Sequence, residues 1–166
     1  MRIVVGANAW EYLLHDSLFP IIVLKLAHAK LGKNVRVGRW LTLHETRGSF
    51  ANLEIGSDVF IGKNVTIDLT QKVTIGDRSA IGMNTMIITH SNFGDSVLKT
   101  AYQKESMPVS IGNDCVINWG SVILKGTKID DRVIILPASL VQGHLHSGYT
   151  YSGNPARMIP QKDLVA

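Results

Sequence analysis

A six-residue period constrains the fold of this chain more than any other feature. Aliphatic residues recur at Leu31, Val37, Leu43, Ile55, Ile61 and Ile67, with Ser49 standing at the missing step. After a short slip the series resumes at Ile75, Ile81 and Ile87. After a longer break it resumes at Ile111, Ile117, Ile123, Ile129, Ile135 and Val141. Glycine often follows the aliphatic residue, as at Gly32, Gly38, Gly56, Gly62, Gly76, Gly82 and Gly112. Three places after it stand Asn34, Asn52, Asp58, Asn64, Asn84, Asp114, Gly120 and Gly126. Gly, Asn and Asp tolerate the left-handed backbone region that a tight corner requires. Small or β-branched residues, such as Val65, Cys115, Ser121 and Ser139, hold the fourth place. An α-helix needs a period of about 3.6 and an alternating strand a period of about 2, so neither explains this pattern.

A unit of this kind is one short strand and one corner, and three units close a triangle. The pattern predicts an all-β chain, a left-handed parallel β-helix of hexapeptide repeats with roughly five coils. Residues 1–30 are read as an N-terminal segment with a short helix, 31–146 as the β-helix, and 147–166 as a C-terminal cap. The helix is expected from Ser17, as N-cap, to Leu31, with Pro20 in its first turn and Gly32 closing it. Ile21, Leu24, His28 and Leu31 would share one face. That face either packs on the end of the β-helix or a neighbouring subunit, or gives weak membrane-surface association. The slip between Ile67 and Ile75 predicts a bulged corner at Asp68 to Lys72. The larger break, residues 90–110, predicts a loop that the coil itself does not need, which makes it a functional suspect.

The chain's 166 residues suit one domain. Its net charge of +4 comes without a dense Lys/Arg run, so nucleic acid is not expected as a partner and a small anionic ligand fits better. Cys115 is the one cysteine, which rules out an intrachain disulfide and fits a reducing compartment. The N-terminus lacks a secretory pattern, and the apolar stretch Leu18 to Leu26 is too short to span a bilayer. A cytoplasmic location is the expectation.

Three features together resemble the hexapeptide-repeat acyltransferases, in the branch that acetylates sugars and polysaccharides, such as maltose, galactoside and capsule acetyltransferases. The first is the repeat from Leu31 to Val141. The second is His90 at the mouth of the loop, followed by Pro108-Val109-Ser110-Ile111-Gly112-Asn113-Asp114. The third is Ser152-Gly153-Asn154-Pro155-Ala156-Arg157, similar to a terminal Gly-Asn-Pro-Ala-basic motif. The chain departs from the family pattern at Val116-Ile117-Asn118-Trp119-Gly120 and at Leu136-Pro137-Ala138-Ser139, both similar to thioester-channel segments. The resemblance implies acetyl-CoA as acyl donor, a sugar-containing acceptor, a homotrimer and O-acetylation. Amino-sugar N-acetylation and a non-catalytic assembly module are the alternatives.

His90 is the candidate general base, because a hydroxyl acceptor needs a group with a pKa near neutrality to take its proton. The competing reading is a histidine that merely fills a corner. The resemblance places an oxyanion-stabilising amide near Trp119, whose ring flanks the pantetheine arm or lies in a subunit interface. Asn118 and Ser139 fall in the thioester-channel segments. Lys125, Lys128, Arg132 and Arg157 are candidates for CoA phosphates, Arg157 foremost. Asp68 and Asn84 are candidates for contact with the acceptor, Asn84 also fitting a purely structural corner. Cys115 occupies an inward position and reads as core. His144 and His146 invite a metal, since carbonic anhydrases of this fold bind zinc with three histidines. No third histidine follows at ligand spacing, so no metal is expected.

Overall fold

A computed structural model of the chain describes residues 20–160, residues 47 and 103 excepted. Over these residues the backbone winds as a left-handed triangular prism with three parallel sheets. Face one stacks Lys30–Leu31, Leu53–Ile55, Val73–Ile75, Val109–Ile111, Lys128–Ile129 and His144–Leu145. Face two stacks Arg36–Val37, Phe60–Ile61, Ala80–Ile81, Val116–Ile117, Ile134–Ile135 and Thr150–Gly153, then turns back antiparallel through Ala156–Ile159. Face three stacks Thr42–His44, Thr66–Asp68, Met86–Ile87, Val122–Ile123 and Leu140–Val141.

The register explains the period. Ile55 pairs with Ile75, Ile75 with Ile111 and Ile111 with Ile129, so each face carries one column of inward aliphatics. Each such side chain removed from water contributes about 1.5–3 kcal/mol, and the columns merge into a single core. The glycine beside seven of these aliphatics, from Gly32 to Gly112, follows from the stacking. A Cβ on Gly76 would lie 2.5 Å from the carbonyl carbon of Gly112, where no side chain fits.

The corners are not alike. The one–two corner always spans six residues between inward aliphatics, from Leu31 to Val37 through Leu145 to Tyr151. The two–three corner does the same, from Val37 to Leu43 through Ile135 to Val141. The three–one corner holds every irregularity. Leu43 to Ile55 is twelve residues, Ile67 to Ile75 eight, Ile87 to Ile111 twenty-four, Ile123 to Ile129 six and Val141 to Leu145 four.

This pattern corrects three expectations. Ser49 starts no repeat; it lies in the enlarged three–one corner, where Phe50 fills the core instead. There are six coils rather than five, because the shortened step to Leu145 hid the last one. The helix is described over Pro20–Leu26, and Ser17 lies outside the described residues. It stops well before Gly32: His28 takes a left-handed φ of 72°, and Leu31 already belongs to face one. Leu24 and Ala27 are buried on the end of the first coil, while Ile22 and Leu26 stay exposed. Among the described residues no helix is long and apolar enough to cross a membrane.

Candidate active site

The three–one corner brings Asp68, Thr70, Thr89 and His90 together. Asp68 ends its strand on face three, and the neighbouring strand Met86–Ile87 runs into Thr89 and His90 one coil later. Asp68 is 6% exposed, and its two oxygens are filled by neighbours. Oδ1 accepts from the Thr70 amide at 3.0 Å and the Thr70 hydroxyl at 2.8 Å. Oδ2 accepts from the Thr89 amide and hydroxyl, each at 2.8 Å, and lies 2.6 Å from His90 Nδ1. Burial alone raises the Asp68 pKa. The hydrogen bonds from the Thr70 amide, His90, the Thr70 hydroxyl and the Thr89 amide outweigh it and bring the carboxyl down to about 2.

That contact sets the imidazole. With its Nδ1 proton facing the carboxylate, His90 presents the Nε2 lone pair, which has no hydrogen-bond partner among the described residues. Such a pair can take a proton at Nε2 while the carboxylate stabilises the cation that results. The extruded loop is anchored at the same place. His90–Ser91 pairs antiparallel with Glu105–Ser106, and Gln71 Nε2 donates to Ser106 Oγ at 3.0 Å. Above its base, Phe93 stacks on Tyr102 at 5.4 Å, and a short 3₁₀ turn runs Val97–Thr100.

The remaining candidates divide between places. Asn84, Asn118 and Trp119 lie at the two–three corner, across face three from His90. A face is crossed by roughly five residues at about 3.3 Å each, so the two groups are too far apart to touch one reacting atom within a single chain. Trp119 is 60% exposed, and its ring lies over Gly82, where a Cβ would come within 2.7 Å of it. Asn84 takes a left-handed φ of 59° and accepts from the Asn64 side chain at 2.8 Å. A hollow of about 530 Å³ beside it is lined by Trp40, Lys63, Asn64, Met83 and Asn84.

The two regular corners differ in how they treat the backbone. At the one–two corner the amides of Lys33, Ser57, Asp77 and Asn113 are each capped by a side chain of the next coil, namely Ser57, Asp77, Asn113 and Asp131. The equivalent amides at the two–three corner, on Arg39, Lys63, Met83 and Trp119, have no partner among the described residues. N–H groups left open along an exposed edge are available as donors to a ligand.

The other expected residues have the following surroundings. Asp68 was expected to touch the acceptor; its oxygens are occupied by its neighbours. Ser139 was expected at the cofactor; its hydroxyl is buried, donates to Leu136 O at 2.7 Å and accepts from the Gly153 amide at 3.2 Å. The Asn118 side chain is likewise engaged, donating to Ile135 O at 2.8 Å. Lys125 pairs with Glu105 at 2.6 Å and ties down the loop, and Lys128 lies 3.5 Å from Asp130. Among the described residues the Arg157 guanidinium meets only the Ala156 carbonyl, at 3.4 Å. Its hairpin turns at the two–three corner, where Gly153 meets Ser139. Cys115 is buried, and burial pushes its thiol up, which suits core rather than a nucleophile. Thr70 and Thr89 were missed; their positions beside the slip and directly before His90 were the available signal.

Comparison with known proteins agrees with this architecture. A model of the hexapeptide repeat of succinyl-transferase matches residues 53–88 and 107–135. Nodulation protein L of Rhizobium leguminosarum bv. viciae is 31% identical over 92% of this chain and 73% of its own length. Galactoside O-acetyltransferase of Escherichia coli is 29% identical over 66% of this chain and 54% of its own. Among solved structures, a hexapeptide-repeat acetyltransferase from Vibrio cholerae superposes with a TM-score of 0.81 at 25% identity. It covers 93% of this chain and 87% of that one, and it has also been solved with acetyl-CoA bound. The repeat, the extruded loop with its histidine and these relatives agree: the chain belongs to the hexapeptide-repeat acyltransferases.

Proposed function

We propose that this protein transfers an acetyl group from acetyl-CoA to a hydroxyl of a saccharide, with His90 as general base. The observation that carries the reading is the Asp68–His90 pair, with Nε2 unpartnered among the described residues, at the foot of a loop the coil does not need. His90 Nε2 takes the proton of the acceptor hydroxyl as that oxygen attacks the thioester carbonyl. The Trp119 amide stabilises the oxyanion. The C–S bond then breaks, and the CoA thiolate leaves, regaining the proton from the imidazolium. Asp68 holds the ring and stabilises its charged form. Arg157 meets a CoA phosphate.

Because these groups sit at two edges of face three, a complete site takes His90 from one chain and the two–three corner from another. Face one presents Lys30, Glu54, Thr74 and Lys128 to solvent, whereas faces two and three present Phe60, Val116, Ile134 and Met86, each at least 40% exposed. A homotrimer about an axis parallel to the prism, with face three turned toward that axis, brings the three–one edge of each chain against the two–three edge of the next. Such rotation preserves height. His90, between the third and fourth coils, then meets Asn84 of the third and Trp119 of the fourth on its neighbour. The hollow beside Asn84, with the half-exposed Trp40 indole and two amides, suits a sugar ring.

The test is His90→Ala. Acetyl transfer should fall about 10²- to 10⁴-fold, with fold and acetyl-CoA affinity retained. Mixing His90→Ala chains with Trp119→Pro chains, which lack the oxyanion amide, should then restore activity above that of either variant alone, since mixed trimers contain sites with both edges intact. Near-normal turnover in His90→Ala alone would reject the base, and absence of any rescue would reject the shared site.

A further inference from the structure

One cluster among the described residues takes no part in this chemistry. His144 opens the last strand of face one, and His146 follows two residues later. Strand residues two apart share a face, and Leu145 between them is turned inward and buried. Both imidazoles therefore stand on the outer surface, ring centroids 4.5 Å apart. The preceding coil supplies a carboxylate. Lys128–Ile129 pairs in register with His144–Leu145, so Asp130 comes to rest beside them. Its two oxygens are each 2.9 Å from His144 Nε2, and Oδ2 is 3.8 Å from His146 Nδ1. One ligand atom from each of the three residues lies within 4.8 Å of the other two.

We propose that Asp130, His144 and His146 form a zinc site, two imidazole nitrogens and one carboxylate oxygen binding the ion while water completes the tetrahedron. Zinc at about 2.0–2.1 Å from each ligand places those atoms about 3.3–3.4 Å apart. The separations of 2.9 and 3.8 Å bracket that value. The ligand set also points to the ion: magnesium and calcium favour oxygen alone, whereas imidazole with one carboxylate suits zinc. Asp130 Oδ2 lies near both histidines, while Oδ1, equally near His144, is the oxygen that meets the Lys128 ammonium at 3.5 Å, so an ion held by Oδ2 need not displace that lysine. Binding does require His144 Nε2 to give up its proton. The third ligand was hidden in the sequence because it is a carboxylate one coil earlier, not a third histidine.

The ion would join the fifth coil to the sixth, where the prism ends. The site lies at the opposite edge of face one from His90 and further along the axis, so acetyl transfer proceeds without it. The experiment titrates the metal-free full-length chain with zinc in a calorimeter, and with cobalt followed by absorbance. One ion per chain should bind, cobalt should give the intense visible bands of a tetrahedral site, and zinc should raise the melting temperature. His146→Ala and Asp130→Asn should each weaken zinc at least about ten-fold, the loss typical when even an outer-shell partner is removed. Because His146 is two-thirds exposed, its alanine variant should melt like the metal-free parent. Undiminished binding in a His144→Ala/His146→Ala double variant, or no binding to the folded parent, would overturn the site.

Discussion

At the two–three corner each coil repeats the one before, six residues at a time, and the backbone amides are left open. At the three–one corner the steps run twelve, eight, twenty-four, six and four residues, and the extra chain carries Asp68's turn, His90 and the loop. The two edges border the same face and share the same core. A regular edge offers a long row of identical donors, which suits an extended cofactor. An irregular edge offers side chains in positions no repeat would supply, which suits acid–base chemistry. Neither edge can do both, and that is the physical reason for the proposed joining of one chain's irregular edge to another's regular one.

The comparison can be broken most sharply at Asp68. Asp68→Asn puts an amide where five donors converge, so the His90 tautomer is no longer fixed. Turnover should fall at least about 10²-fold while KM for acetyl-CoA stays near that of the parent. A KM effect without a kcat effect would place Asp68 on the cofactor side instead.

The regular edge is tested by Gly82→Ala. The new Cβ would stand 2.7 Å from the Trp119 ring and 2.8 Å from its backbone nitrogen. Overpacking against backbone should cost about 3 kcal/mol and displace Trp119, raising KM for acetyl-CoA. Unchanged denaturant midpoint and KM would show that this edge gives way freely and cannot hold a shaped channel.

A smaller effect concerns acid. The Asp68 carboxyl sits at about 2 when folded, against an ordinary value of 3.8. Its folded pKa is depressed, so its stabilisation is complete above about pH 4 and lost as the pH falls toward 2, amounting to about 2 kcal/mol. Urea midpoints of the parent and of Asp68→Asn should therefore converge over that window. A constant gap between them would mean that the contacts do not favour the ionised form.

The six-residue period made the prism legible because stacking repeats one aliphatic per unit, with a glycine beside it in many units. The enlarged corners were legible as interruptions, and His90 was found because it opens the largest one. What lay behind His90 was not legible. Asp68 stands 22 residues earlier, and only the pairing of Thr66 with Met86 and Ile67 with Ile87 brings it underneath. Ser139 was a different failure. It occupies the same repeat place as Cys115, which the period correctly turns inward, and the rule applied equally to both. The contrast between capped and open amides could not be read at all, since it depends on which side chain of the next coil lies within reach.

The twenty-four-residue step has a further consequence. Beneath it the coil closes as though nothing intervened: Val73 pairs with Val109, Ile75 with Ile111 and Ile87 with Ile123. The prism's ladder neither records nor depends on the length of what leaves it there. The corner is in effect a socket. Residues 92–104 can be exchanged for another segment while Glu105, Ser106 and their anchors at Lys125 and Gln71 keep the base in place. Whatever the loop adds to the neighbourhood of His90 then becomes a portable property, transferable between prisms of this kind without redesigning the core that carries it.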